Sequence, residues 1–230
     1  MFSRNVAARH EPRLSELIER YFNWQEGKIS DHELIEWIHV RDREMALEMD
    51  SSWFNILILE PLAREFPDAR FVLTIRDCYS WANSEFKRVL HTPSPDPQRA
   101  KLREFLYGGK EISYSPAERL LKETGLYPLD HYLRRWTAHN NEVLSKIAAR
   151  RLLVVRTDQI RERAYEIADF AGLPRSTVRL SRTHAYQNPV PRQIIRELDG
   201  NFLEAKIAQH CGPLMRRFFP EIRTLNDVKL

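Results

Sequence analysis

The sequence predicts a layered α/β domain built on a parallel sheet. Two short apolar runs point to it: Phe71, Val72, Leu73 and Ile75 within 70–76, and Leu152 to Val155 within 151–160. Both are nearly continuous and end in charge, as strands covered on both faces do. Each is followed by a segment of helical spacing, and that alternation of strand and helix is the mark of the class. The chain has 230 residues, 43% hydrophobic and 30% charged, enough for one domain with a substantial core over 1–230.

Taken in order, Pro12 and Arg13 lead into LSELIERYF, where Leu14, Leu17, Ile18 and Tyr21 share a helical face and Gly27 ends the helix. HELIEWIHVRD repeats the pattern with Leu34, Ile35 and Ile38, capped by Ser30 or Asp31. MALEMDSS at 45–52 reads as a short strand, with Ser51 and Ser52 as caps for the next helix. FNILILEPLAREF reads as that crossing helix, in which Pro61 imposes a kink or a late start. After the strand at 70–76, SWANSEFKRVL forms a helix whose first turn holds Ser80 and Ser84. Three prolines in HTPSPDPQ make 91–98 a loop, and the stretch from about 99 to 130, without a clean period, reads with it as a substrate-facing insertion at about 91–130. DHYLRRWTAHNNEVLSKIAA is a long amphipathic helix with Leu133, Trp136, Val143, Leu144 and Ile147 inward. The strand at 151–160 and the helix AYEIADFAGLP complete the alternation.

Lys plus Arg number 36 against 32 Asp plus Glu, a net +4, which favours a local basic site over a polyanion-coating surface and gives no support for nucleic acid. Cys78 and Cys211, the only cysteines, provide neither a disulfide framework nor metal-ligand spacing. MFSRNVAARHEPR has no signal-peptide core, and no window is long and apolar enough to cross a bilayer. A cytoplasmic protein with no membrane partner is the expectation.

Arg76 stands where a parallel strand would open into a ligand crevice, so it can present a fixed cation to an anion; a structural ion pair is the alternative reading. Ser84 follows eight positions later. A guanidinium fork with a helix N-terminus and a hydroxyl makes an anion clamp.

FPDARFVLTIRDCYSWANS resembles the 3′-phosphate-binding segment of sulfotransferases, and RLLVVRTDQI with IADFAGLP resembles the strand and helix that come after it there. HEP at 10–12, EMDSS at 48–52, the WTAHN helix and FFPEI extend the similarity over most of the chain, closest to bacterial P-loop sulfotransferase-like proteins. The resemblance implies a three-layer α/β/α fold with a central parallel sheet of the P-loop NTPase-like type. It implies that Arg76 and Ser84 hold the 3′-phosphate of 3′-phosphoadenosine 5′-phosphosulfate (PAPS), the co-substrate, and that no metal is needed. Glu11, or else His10, takes the place of the family's catalytic base near a strand end, where Pro12 is expected to keep Glu11 extended. Helix capping is the alternative for both. Asp50 is placed to orient acceptor or base. Arg156, in Arg-Thr-Asp where relatives carry Tyr-Glu-Asp, is a further nucleotide contact by resemblance, and Asp158 is available to pair with an arginine.

The family's opening strand and Gly-rich phosphosulfate loop have no counterpart in these residues, so the fold is expected to be N-terminally truncated. Two functions stand as expectations. One is sulfuryl transfer from PAPS to a hydroxyl or amine of a small-molecule or glycan acceptor; the other is nucleotide or ligand binding without transfer. A nucleotide kinase is disfavoured, since no Gly-Lys-Ser/Thr motif exists. His184 lies in a late loop with no role assigned, His139 reads as a packed or capping residue, and Arg134-Arg135 and Arg216-Arg217 read as solvated helix faces.

Overall fold

The structure is a computed structural model and describes residues 1–2, 6–91, 97–108, 112–182 and 192–228. His184, Gly109 and most of the proline-rich 91–98 segment lie outside the described residues. Strand β1 (Ala8–His10) leads into helices α1 (Leu14–Gln25) and α2 (Asp31–Met45). Strand β2 (Met49–Ser51) comes next, then a 3₁₀ turn (Trp53–Ile58), α3 (Leu59–Glu65) and β3 (Phe71–Ile75). After these come α4 (Cys78–His91), α5 (Pro97–Tyr107), α6 (Arg119–Glu123), α7 (Leu129–Lys146), β4 (Leu152–Arg156), α8 (Ala164–Ala171) and α9 (Gly200–Phe218).

Local chemistry explains most boundaries. Ser30 is the cap of α2: its hydroxyl accepts from the Glu33 N–H while the Glu33 carboxylate accepts from the Ser30 N–H, a reciprocal capping box. Pro61 sits at the third position of α3, where its missing N–H costs nothing, so the helix starts late instead of kinking. Gly172, at φ 74°, supplies the left-handed cap that ends α8. In α2 the inward face is Leu34, Trp37 and Ile38, with Ile35 half-buried.

The chain divides into two units. The first comprises Met1–Thr74 and Glu142–Ala185. Its β1 and β2 pair in parallel, with Arg9 opposite Asp50 and His10 opposite Ser51. β3 pairs with β4 in a separate two-stranded sheet. The expected single central sheet is thus two small sheets among the described residues. The β3–β4 sheet is apolar on both faces. Val72, Leu153 and Val155 pack towards Ile167, Ala168 and Val178, whereas Phe71, Leu73, Leu152 and Val154 pack towards Ile56, Leu59 and Val143. Alternation along each strand sends neighbours to opposite cores. Only Thr74 in β3 is exposed.

The second unit comprises Ile75–Asn141 and Tyr186–Leu230, and α4 packs in it against α9 and the 3₁₀ turn at Ile194–Glu197. The segment expected as an irregular insertion is largely helical, and Leu102, Tyr107, Leu121 and Leu126 from it are buried. Tyr107 stacks on Tyr132 at 4.6 Å between centroids, and Phe86 meets the same ring edge-on at 4.9 Å. The buried Glu118 carboxylate accepts from the N–H groups of Leu129 and Ser115, satisfying a charge that burial would otherwise penalise.

Candidate functional site

Arg76 follows β3 directly. Its carbonyl accepts a 3.0 Å bond from Nε1 of the buried Trp136, which fixes the backbone where the strand gives way to α4. The residue is exposed, and its guanidinium has no hydrogen-bond or ion-pair partner among the described residues. Arg88, Arg163, Arg175 and Arg192, by contrast, each grip a neighbouring carboxylate. The ion-pair reading of Arg76 therefore finds no partner among the described residues. Ser84 is half-buried, and its hydroxyl is likewise unpartnered among them.

Two details of this arrangement differ from expectation. Helix α4 begins at Cys78, so Ser84 is its seventh residue, about 9 Å along the axis from the first. The N-terminus of α4 is also not an open set of donors. Oδ1 of the buried Asp77 accepts from the Ser80 N–H at 2.8 Å, and the Cys78 N–H donates to Met215 Sδ at 3.5 Å. Asp77 is the helix cap, and its charge already answers the helix dipole. At this junction the Arg76 guanidinium and, two turns into α4, the Ser84 hydroxyl are without partners among the described residues.

Glu11 and His10 lie in the first unit, where the chain turns from β1 into α1. The Glu11 N–H donates to the Ser51 carbonyl at 2.9 Å, carrying the β1–β2 ladder one step further. Glu11 then adopts φ 49° and Arg13 φ 52°, on either side of the buried Pro12. The extended geometry expected at Glu11 is corrected: α1 starts at Leu14, and with no glycine available the turn forces two left-handed residues, each costing on the order of 1–3 kcal/mol. The corner is held from several sides. Nη2 of Arg41 donates to the Pro12 carbonyl at 3.2 Å and to Asp50 Oδ2 at 2.7 Å, and Arg13 Nη2 pairs with Glu44 at 2.6 Å. Glu11 is half-buried and His10 exposed, with His10 Nε2 3.9 Å from Glu11 Oε1. A half-buried carboxylate on a fixed backbone is chemically suited to accept a proton.

Asp50 is bound to Arg41, and Ser52 takes the capping role expected of it by accepting from the Phe54 N–H at 3.2 Å. β4 stops at Arg156, earlier than the run to 160, and a 3₁₀ turn comes after it. Arg156 forms a fork with Asp158, Nε to Oδ1 at 3.1 Å and Nη2 to Oδ2 at 2.8 Å. Its guanidinium is thus already engaged with a carboxylate.

A family model described as a sulfotransferase domain matches residues 4–162, more than half of the chain. The chain belongs to the sulfotransferase domain family. No curated protein and no solved structure gives a significant match. The matched part of this sulfotransferase domain includes His10, Glu11, Asp50, Arg76, Ser84 and Arg156, whereas α8 and α9 lie beyond it.

Sequence reasoning did not single out Arg41 or Asp77 in this sulfotransferase domain. Asp77 had a signal, a capping residue three positions before Ser80 at the head of an apolar-periodic run. Arg41 had none, since an arginine in an amphipathic helix reads as solvent-facing, yet here it is 6% exposed. His139 is half-buried, and burial with the nearby Arg135 pushes its pKa down to about 4, which suits a packed neutral imidazole. Arg134, Arg216 and Arg217 are exposed, while Arg135 is half-buried. Among the described residues no three His, Cys, Asp or Glu side chains converge as metal ligands, and no helix is long and apolar enough to cross a membrane.

Proposed function

We propose that the chain is a PAPS-dependent sulfotransferase of the three-layer P-loop type, acting on a hydroxyl or amine of a small-molecule or glycan acceptor. One observation carries the reading. In a chain of this family, the strand-end guanidinium of Arg76 and the hydroxyl of Ser84 are both unpartnered among the described residues. A planar cation just past β3 and a neutral donor two turns into α4 are the kinds of group a phosphate monoester uses, since it takes several charge-assisted hydrogen bonds. Arg76 and Ser84 hold the 3′-phosphate in this reading, with Arg156 as a further contact that shares its fork with Asp158.

Bound PAPS supplies an activated sulfuryl group. Glu11 removes the acceptor proton as the acceptor oxygen or nitrogen attacks sulfur, the bond from sulfur to the 5′-phosphate oxygen breaks and 3′-phosphoadenosine 5′-phosphate leaves; the adjacent His10 is the alternative base. The fixed corner at Glu11–Arg13 lowers the cost of bringing that carboxylate into position.

Calorimetry with 3′-phosphoadenosine 5′-phosphate tests the nucleotide assignment. Arg76→Ala should weaken binding about 10- to 100-fold, the equivalent of one charged hydrogen-bonding group, and Ser84→Ala by a smaller factor. Equal affinity in wild type and Arg76→Ala would remove the assignment. For Glu11, sulfuryl release from radiolabelled PAPS should fall about 100-fold or more in Glu11→Gln, with nucleotide affinity retained. A second reading, nucleotide or ligand binding without transfer, rests on the same unpartnered Arg76 and Ser84. It predicts tight nucleotide binding with no sulfuryl release at all.

A further inference from the structure

The Arg41–Asp50 pair makes little sense as a stability device. Arg41 is 6% exposed, and only its Nη2 reaches Asp50. Arg41 Nε and Asp50 Oδ1 are both buried without a hydrogen-bond partner among the described residues, so the second leg of the usual two-legged fork is unmade. A buried ion pair with half its bonds missing regains little of its desolvation cost. What the pair does hold is backbone: the same Nη2 that meets Asp50 also donates to the Pro12 carbonyl, between the left-handed Glu11 and Arg13. Asp50 in turn sits in β2 beside Ser51, whose carbonyl receives the Glu11 N–H. Strained residues persist only where the surroundings over-determine them, and these bonds close a ring around the strained corner.

We infer that Arg41, anchored by Asp50, is a positioning residue that locks the Glu11–Arg13 corner in its left-handed form and thereby aims the Glu11 carboxylate. The inference rests on the reading of Glu11 as general base. Arg41 need not touch any ligand for this role. Its guanidinium is a clasp between the α2 helix, the β2 strand and the Pro12 carbonyl, and its effect passes to the reaction only through Glu11. A loosened clasp leaves the carboxylate present but misdirected, which lowers turnover while nucleotide binding persists.

The experiment is a double-mutant cycle on the full chain, read as sulfuryl release from radiolabelled PAPS with water as acceptor, together with crystal structures of the variants. Arg41→Met should lower kcat at least 10-fold with KM for PAPS within about twofold, and should have less than a twofold further effect in the Glu11→Gln background. Its crystal structure should show Glu11 out of the left-handed region and the Glu11–Ser51 bond broken, with partial recovery of rate and geometry in Arg41→Lys. Asp50→Asn provides the same cycle if Arg41→Met does not fold. Equal slowing in both backgrounds, or a corner that keeps its left-handed φ without Arg41, would overturn the inference. If Glu11→Gln alone runs at full rate, the base reading fails and the aiming role falls with it, while the crystal structures separately decide whether Arg41 holds the corner.

Discussion

Replacing Arg151 by methionine should cost this protein about 3 kcal/mol of stability. Arg151 ends the 3₁₀ turn before β4, and its guanidinium donates to three main-chain carbonyls: Ala63 at 3.0 Å, Phe66 at 2.6 Å and Ala69 at 2.8 Å. Ala63 lies in α3 and Phe66 is its C-cap, where helix carbonyls lack intrahelical partners. The same group lies 5.2 Å above the Phe71 ring. Hydrogen bonds from charged donors are worth about 1.5–3 kcal/mol each, but a half-buried side chain leaves room for water to replace part of each, so roughly 1 kcal/mol per bond is the reasonable figure. Methionine keeps most of the apolar stem and removes the fork. Urea denaturation should therefore show a lower midpoint at unchanged slope, and the melting temperature should fall by about 6–12 °C. Arg151→Lys, a single point charge in place of a fork, should fall between the two. A loss below about 1 kcal/mol in Arg151→Met would mean that these carbonyls are equally well served by solvent.

Asp77→Ala should cost about 1 kcal/mol by uncapping α4, measured by chemical denaturation, and Asp77→Ser should recover most of it. At Asp130 burial by itself pushes the carboxyl up, but Lys206 at 2.7 Å and His210 at 3.0 Å outweigh it and hold the group below its ordinary value. That contribution is complete above the usual carboxylate range and is lost as pH falls through it and below, so Asp130→Asn should flatten the acid limb of the stability–pH curve. An unchanged acid limb would show that this triad does not govern it.

The longer helices were legible because their apolar positions recur at helical spacing and their ends carry recognisable caps, as Ser30 and Gly172 illustrate. The 99–130 segment was not. Its buried Leu102, Tyr107, Leu121 and Leu126 are spread over helices of 11 and 5 residues and a connecting stretch, too short for a period to emerge. At the candidate site, the Arg76–Ser84 spacing was visible, but whether Arg76 was already paired depended on side chains distant in sequence. The conformation of Glu11 was hidden for a different reason. Local preference before a proline favours extended backbone, and only the demand that β1 turn into α1 within three residues overrides it.

The two-faced character of the β3–β4 sheet has a consequence for how its strands find their alignment. In a sheet with one wet side, sliding a strand by one residue exposes oil and buries charge, so polarity alone polices the match. Here Val72 and Leu73 face different cores that are both greasy, and a slip would exchange like for like. The alignment must be measured some other way, and Arg151, reaching from the threshold of β4 to the carbonyl of Ala69 just ahead of β3, is a fixed ruler between the two strands.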